Sequence, residues 1–259
     1  MESIFEEIDG YAQLIPRRLA FNVFLGDSNS LILPTDDLLQ ILGRLYSAFP
    51  RIQGVSSYGS GRVASQKSLG DLIRLREAGL GLIYVGLETG DDGLLKFMQK
   101  GATSEQMAAG GRKIMYAGID LSMYVITGLG GRERWLQHAY GTARVLNEVN
   151  PTYIRFRNLG VDENTPLAGL VRDGEFTVTS PLERAIEQRF LVDMLDANVT
   201  SRIESNHFAN YIDLKGKMPE DRERLLAKLD DFIMRCEEDP DWEREIEEEM
   251  DEARKDGML

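Results

Sequence analysis

Five times between residues 19 and 159, a short apolar run ends in a polar or glycine-rich loop and gives way to a helical pattern. The runs are 19–25 (LAFNVFL), 52–57, 80–87 (LGLIYVGL), 121–127 (LSMYVIT) and 153–159 (YIRFRNL). Strand, loop, helix, strand at this spacing means βαβ crossovers and a parallel sheet. A nearly continuous apolar strand such as LIYVGL fits a sheet covered on both faces. Two architectures satisfy that pattern, an open doubly wound sheet and a closed or partial (β/α) barrel. Polar residues gather after one strand after another, which favours the barrel; a doubly wound sheet concentrates them at a single switch point. Either way, the functional surface lies at the C-terminal ends of the strands.

The helical segments have their own punctuation. Residues 4–14 form a short amphipathic helix stopped by Pro16. Thr35 is the expected N-cap of a helix over 35–48, with Leu38, Leu39, Leu42 and Leu45 on one face. Ser68 caps a helix closed by Gly79, and helices over 91–99 and 104–117 follow, the second stopped by Gly118. Further helices are expected over 134–147, 181–195 and 220–235, with a strand near 200–204. Met98, Met107 and Met115 read as core filling. The domain reading is a partial (β/α) barrel over 1–215, a C-terminal helix over 216–236 packed on it, and an acidic tail over 237–259.

Charge is unevenly placed. The chain has a net charge of −13, yet residues 237–252 hold eleven acids and one Arg, so about −3 remains for everything else. A near-neutral body with an acidic tail lacks the basic footprint of a nucleic-acid binder, so nucleic acid is not the main partner. Trp242, Ile246 and Met250, four apart, are the tail's only apolar face. It reads as a solvated acidic helix or frayed tail, or else as a docking helix for a basic partner.

The single cysteine, Cys236, forbids an intrachain disulfide and a Cys-ligated zinc or all-cysteine iron–sulfur site within these residues. Two histidines, His138 and His207, make a multi-His metal centre unlikely on numbers alone, so no metal ligand is assigned. No apolar run approaches the ~20 residues of a membrane span and the acidic start is no signal peptide, so a cytoplasmic protein without membrane contact is expected.

The strand-end loops present Asp27, Ser57, Tyr58, Arg62, Glu88, Thr127, Glu133, Arg155 and Arg157. In residues 153–157, period-two alternation sends Tyr153, Arg155 and Arg157 to one face and Ile154 and Phe156 to the other. In a barrel the apolar pair faces the helices and the arginines face the lumen. Guanidiniums there need anions, either Glu88 and Glu133 as internal salt-bridge partners or a ligand carboxylate. Gly128-Leu129-Gly130-Gly131-Arg132-Glu133 opens a helix after a strand, so its N–H groups can receive an anion, or it is simply a tight turn. It fails as a Rossmann fingerprint, because Glu133 stands at the third glycine position. Asp27-x-Asn29 fails as a calcium loop, with Ile32 and Leu38 at the sixth and twelfth positions. His207, in Ser205-Asn206-His207-Phe208, reads as a general acid–base or as a structural residue holding the C-terminal segment. His138 reads as a surface or packing residue.

The loops FLGDSNSLILPT, VSSYGSGR, YVGLETGDD, VITGLGGRE, YIRFRNLGVDENTPL and SNHFANYIDLKGKMPEDRERLLAKLDD, in that order, resemble the radical S-adenosylmethionine (radical SAM) superfamily. The likeness is to bacterial and archaeal members allied to coproporphyrinogen-dehydrogenase-like and tRNA-modifying enzymes, and it covers residues 19–231. The resemblance implies a TIM-barrel-related partial (β/α) barrel that binds SAM across its strand ends, with a C-terminal helical extension. By position, Gly26, Asp27 and Ser28 are similar to the loop that meets the methionine amino group, and Ser57 joins the same cofactor set. Glu88 resembles the carboxylate placed near the ribose or amino-acid part. Gly128, Gly130, Gly131 and Glu133 resemble the segment near the adenine, and Arg155 and Arg157 border the adenine and substrate side.

The resemblance also implies a [4Fe–4S] cluster on a CxxxCxxC loop, with reductive cleavage of SAM to a 5′-deoxyadenosyl radical acting on a small-molecule substrate. This sequence lacks that motif, and the expected first strand and cluster loop are absent from it. It therefore reads as a fragment or a degenerate relative, the start at MESIF favouring a fragment with the edge of strand 19–25 exposed to self-association as a homo-oligomer. The alternatives are a non-catalytic barrel binding SAM or a small anion, and an unrelated (β/α) enzyme using acid–base pairs such as Glu88 and His207.

Overall fold

The computed structural model describes residues 1–26 and 29–255, the side chains of 254 and 255 excepted. In chain order the elements are α1 (Glu2–Leu14), β1 (Phe21–Leu25), a 3₁₀ turn (Ser30–Ile32), α2 (Thr35–Ala48), β2 (Ile52–Gly59), α3 (Gly61–Gln66) and α4 (Leu69–Glu77). Then come β3 (Leu80–Glu88), α5 (Asp92–Phe97), α6 (Ser104–Tyr116), β4 (Asp120–Thr127), α7 (Gly131–Val149) and β5 (Tyr153–Asn158). The chain finishes with α8 (Pro166–Arg172), α9 (Pro181–Asp193), β6 (Arg202–Glu204), β7 (Lys215–Lys217), α10 (Arg222–Glu238) and α11 (Pro240–Lys255).

The strands form one sheet whose order follows the chain from β1 to β7. An order that never reverses has no switch point, which excludes the doubly wound alternative. The pairs β1–β2, β2–β3 and β5–β6 are parallel, and β7 closes antiparallel on β6. The sheet is open, with β1 and β7 as its edges, and so makes a partial (β/α) barrel. Edge strand β7 is three residues long and exposes Lys215 and Lys217, a pattern that discourages further pairing.

The chain divides into two compact units, one of Met1–Gly86 with Glu105–Ser122, the other of Leu87–Ser104 with Met123–Leu259. The first buries Leu38, Leu42 and Leu45 of α2, Val55 of β2, Leu72 and Leu75 of α4, and Ile83 and Val85 of β3. Ser68 caps α4 as its position suggests, accepting from the Asp71 N–H at 3.0 Å. Thr35 does not cap α2. Pro34 holds that position, and the Thr35 hydroxyl instead accepts from Lys67 Nζ at 3.3 Å, while the helix covers the expected residues, Thr35–Ala48.

The second unit buries Ala139, Ala143 and Leu146 of α7, Ile154 and Phe156 of β5, Leu191 and Val192 of α9, Ile203 of β6, and Leu225 and Leu229 of α10. A separate apolar cluster of Leu94, Leu129, Leu159 and Phe176 lies beside Met98. A Ser180–Glu183 capping box starts α9, with Pro181 in its first turn. The acidic tail is the helix α11, and its apolar face is used within the chain. Trp242 packs edge-on against Phe232 at 5.3 Å, the Arg235 guanidinium lies 3.7 Å from the Trp242 ring, and Glu243 accepts from the Leu182 N–H at 2.9 Å.

The 3₁₀ turn, α3, α8 and β7 stand where the sequence reads as turns or carries no pattern, because three to seven residues are too few to show a period. Met107 is buried and Met115 half-buried. No described helix is long and apolar enough to cross a membrane.

Candidate functional site

In the second unit the alternation of β5 holds: Ile154 and Phe156 are buried, while Tyr153, Arg155 and Arg157 occupy the opposite face. The expected partners of the arginines are not Glu88 and Glu133. Arg155 is the register neighbour of Glu204 on β6 and forms its ion pair there. Glu133 accepts from the Thr177 N–H at 3.2 Å, which holds its carboxyl below the usual range, and Glu88 pairs with Lys100 at 2.5 Å. Parallel pairing decides the matter, since it fixes side-by-side neighbours that separation along the chain does not reveal.

Arg157 lies over the Tyr124 ring at 5.0 Å and donates to the Phe156 carbonyl at 2.8 Å. Burial pushes its guanidinium below the ordinary value, and among the described residues it makes no ion pair. His207 stacks on Phe208 at 4.1 Å. Burial first, and the Arg157 charge second, push its imidazole down. Asn210 ties this segment to the end of β5: it accepts from the Asn158 N–H at 2.9 Å and donates to the Phe156 carbonyl at 3.0 Å.

Glu88 ends β3 with φ 61°, in the left-handed region. A non-glycine residue held there costs roughly 1–3 kcal/mol, and such outliers concentrate at ligand sites. The turn behind it is fastened to α7. The Gly90 N–H donates to Thr142 Oγ1 at 2.9 Å, and a Cβ on Gly90 would stand 2.1 Å from the Gly141 carbonyl oxygen.

At the end of β4, Gly128 adopts φ 81° and donates its N–H to Glu187 Oε1 at 2.9 Å. The Leu129, Gly131 and Arg132 N–H groups donate to Ile126, Gly128 and Thr177 carbonyls. These donors, which the sequence offers to an anion, bond within the chain. Gly130 is the N-cap of α7, and Gly131 begins the helix with φ 56°. The Thr127 hydroxyl bridges to Asn158 Oδ1 at 2.8 Å.

The first unit holds the other expected residues. Gly26 follows β1 with open space where a Cβ would lie, and Asp27 and Ser28 lie outside the described residues. Ser57 is buried on the same side of β2 as Val55, its hydroxyl donating to the Tyr58 carbonyl at 2.7 Å. The other face carries Tyr58, in edge contact with Phe24 at 4.8 Å and Tyr84 at 6.1 Å.

Glu187, which the sequence reading does not single out, and His138, read there as a surface or packing residue, are fully buried polar groups of the second unit. Of the two readings of His138, surface or packing, burial leaves packing. His138 and Glu187 are both 0% exposed, with His138 Nε2 3.4 Å from Glu187 Oε1 and His138 Nδ1 2.8 Å from Thr89 Oγ1. The signal was helical spacing: His138 shares the stripe of Thr142, Val145 and Val149, and Glu187 the stripe of Arg184, Leu191 and Leu195.

No family model matches the chain, and no curated protein matches it in sequence. Its fold is matched among solved structures. The archaeal Methanocaldococcus infernus Elp3 with an N-terminal deletion superposes with a TM-score of 0.58 at 14% identity, over 90% of this chain and 60% of that one. Coproporphyrinogen III oxidase (HemN) from Escherichia coli, a radical SAM enzyme, gives 0.58 at 15% identity over 74% and 44%. Methylornithine synthase (PylB) gives 0.54 at 14% identity over 86% and 59%. The fold is that of the radical SAM enzymes. The chain spans less than two thirds of each of these structures.

The iron–sulfur cluster implied by a radical SAM fold does not fit the residues present. Cys236 is the only cysteine, it is buried on α10, and burial raises its thiol to about 11. Among the described residues no group of three or more His, Cys, Asp or Glu side chains could hold a metal ion.

Proposed function

We propose that this chain is the S-adenosylmethionine-holding part of a radical SAM enzyme, a cytoplasmic protein acting on a small-molecule substrate. The observation that carries the reading is Arg157, a half-buried guanidinium at the end of β5 that makes no ion pair among the described residues; Glu204, already paired with Arg155, is the weakest influence on it. A half-buried cation without an anion in direct contact is costly, and the carboxylate of an amino-acid ligand meets that need. Tyr124 behind it limits the rotamers Arg157 can adopt, so little is lost when the ligand arrives.

Glu88, paired with Lys100, supplies carboxylate oxygens at the end of β3 suited to ribose hydroxyls or an ammonium. Its left-handed backbone aims the carboxylate from a fixed turn instead of a mobile loop. The work assigned to these residues is binding and orientation. Reductive cleavage of SAM belongs to an iron–sulfur cluster, and no step of it is assigned to the side chains described here.

Calorimetric titration with SAM tests the reading. Saturable binding that weakens at least tenfold in Arg157→Gln and in Glu88→Gln is the expected result, since each change removes a charge-assisted bond. A folded wild-type chain that evolves no heat with SAM overturns it.

A further inference from the structure

The buried polar contacts of the second unit link its two strand ends. Glu187, on α9, accepts the N–H of Gly128 at the end of β4. The same carboxylate oxygen faces His138 Nε2, on α7, and the other imidazole nitrogen faces the hydroxyl of Thr89, the residue after Glu88. Thr89 Oγ1 also accepts from the Asp91 N–H at 3.0 Å. From Gly128 to Thr89 the chain of contacts is unbroken, and it runs from one residue with left-handed backbone, Gly128, to the neighbour of another, Glu88.

Donor and acceptor requirements orient the Thr89 hydroxyl and the His138 ring. The Thr89 hydroxyl is buried and already accepts from Asp91, so its single proton must be donated elsewhere; His138 Nδ1, at 2.8 Å, is placed to take it. An Nδ1 that accepts leaves the ring proton on Nε2, and that is the nitrogen facing Glu187. A doubly protonated ring would strand the Thr89 proton in a dry interior, at the cost of an unmade hydrogen bond. Arg184, three residues before Glu187 on α9, is buried against the same turn, with its Nε 3.0 Å from where a Gly128 Cβ would lie, and places positive charge near the carboxylate.

We propose that Glu187 and His138 are positioning residues, which act through Thr89 and the Gly128 N–H to hold Glu88 and the glycine-rich turn in their ligand-binding arrangement. Both are fully buried, so neither touches a ligand. A buried polar network restricts its members to few arrangements, and here the Nε2–Oε1 contact of 3.4 Å is close but longer than a good hydrogen bond. The inference rests on reading these strand ends as a SAM site, and the experiment separates the two ideas.

Nitrogen-15 spectroscopy of the labelled full chain reads the tautomer directly. His138 is expected neutral, protonated on Nε2; a ring protonated on Nδ1, or on both nitrogens, overturns the relay. In Glu187→Gln the amide oxygen that accepts from Gly128 is the one that faces Nε2, so the Nε2 tautomer should persist; its inversion overturns the relay. Thr89→Val, nearly isosteric, removes the hydroxyl, and Thr89→Ser restores it. SAM affinity is expected to fall about tenfold in Thr89→Val and to return in Thr89→Ser, with both melting near the wild type. Unchanged affinity in Thr89→Val overturns the positioning role. Should the wild-type chain not bind SAM at all, the site reading fails and the Glu88 and Gly128 amide shifts decide. Displacement by valine and recovery by serine support the network's role; shifts that stay put overturn it.

Discussion

Arg155 and Glu204 stand side by side on neighbouring parallel strands, β5 and β6, and pair across them with each side chain 19% exposed. Removing one partner strands a partly desolvated charge, whereas removing both does not. Arg155→Met and Glu204→Leu should each cost about 1–3 kcal/mol in urea unfolding, and the double variant less than their sum. Additive losses mean the pair contributes nothing as a pair.

His207 should titrate below the ordinary histidine range, because burial and the Arg157 charge both oppose its protonation. Its folded value is depressed, so the contribution to stability is complete above the unfolded value and is lost as pH falls through the folded one. Proton chemical shifts of His207 follow this directly. Arg157→Gln should move its midpoint upward, and a midpoint that does not move removes Arg157 as a cause.

Cys236 should be inert in the native chain. With its thiol raised to about 11, almost no thiolate is present at pH 8. A chromogenic disulfide reagent is expected to react in the denatured chain and hardly at all in the folded one. Rapid native labelling would show that α10 opens readily.

Gly90→Ala tests the crossing of the β3 turn over α7. A Cβ there meets the backbone of Gly141, which cannot rotate away. A loss of about 3 kcal/mol is expected in denaturant unfolding. A neutral result would mean the turn and the helix stand farther apart.

The fold was legible because the βαβ rhythm depends on local periodicity, and the strands before 160 fall within two residues of their expected bounds. What the sequence withheld was pairing. The polar partners of Arg155 and His138 are set by strand register and by which helix faces meet, and Glu204 and Glu187 lie 49 positions beyond them. Arg155 and Arg157 illustrate the limit well: alternation put them on one face correctly, yet it could not tell that only Arg155 forms a direct ion pair with Glu204. His138 and Glu187 were hidden for a different reason. A polar residue on an apolar helical stripe is visible in sequence, but its partner is not.

Amide hydrogen exchange with and without SAM tests the central claim most directly. Slowed exchange is expected in residues 86–90 and 155–159, around Glu88 and Arg157, and it should vanish in Arg157→Gln. Exchange that SAM leaves unchanged, or slows only in residues 1–49, would contradict a ligand site at these strand ends.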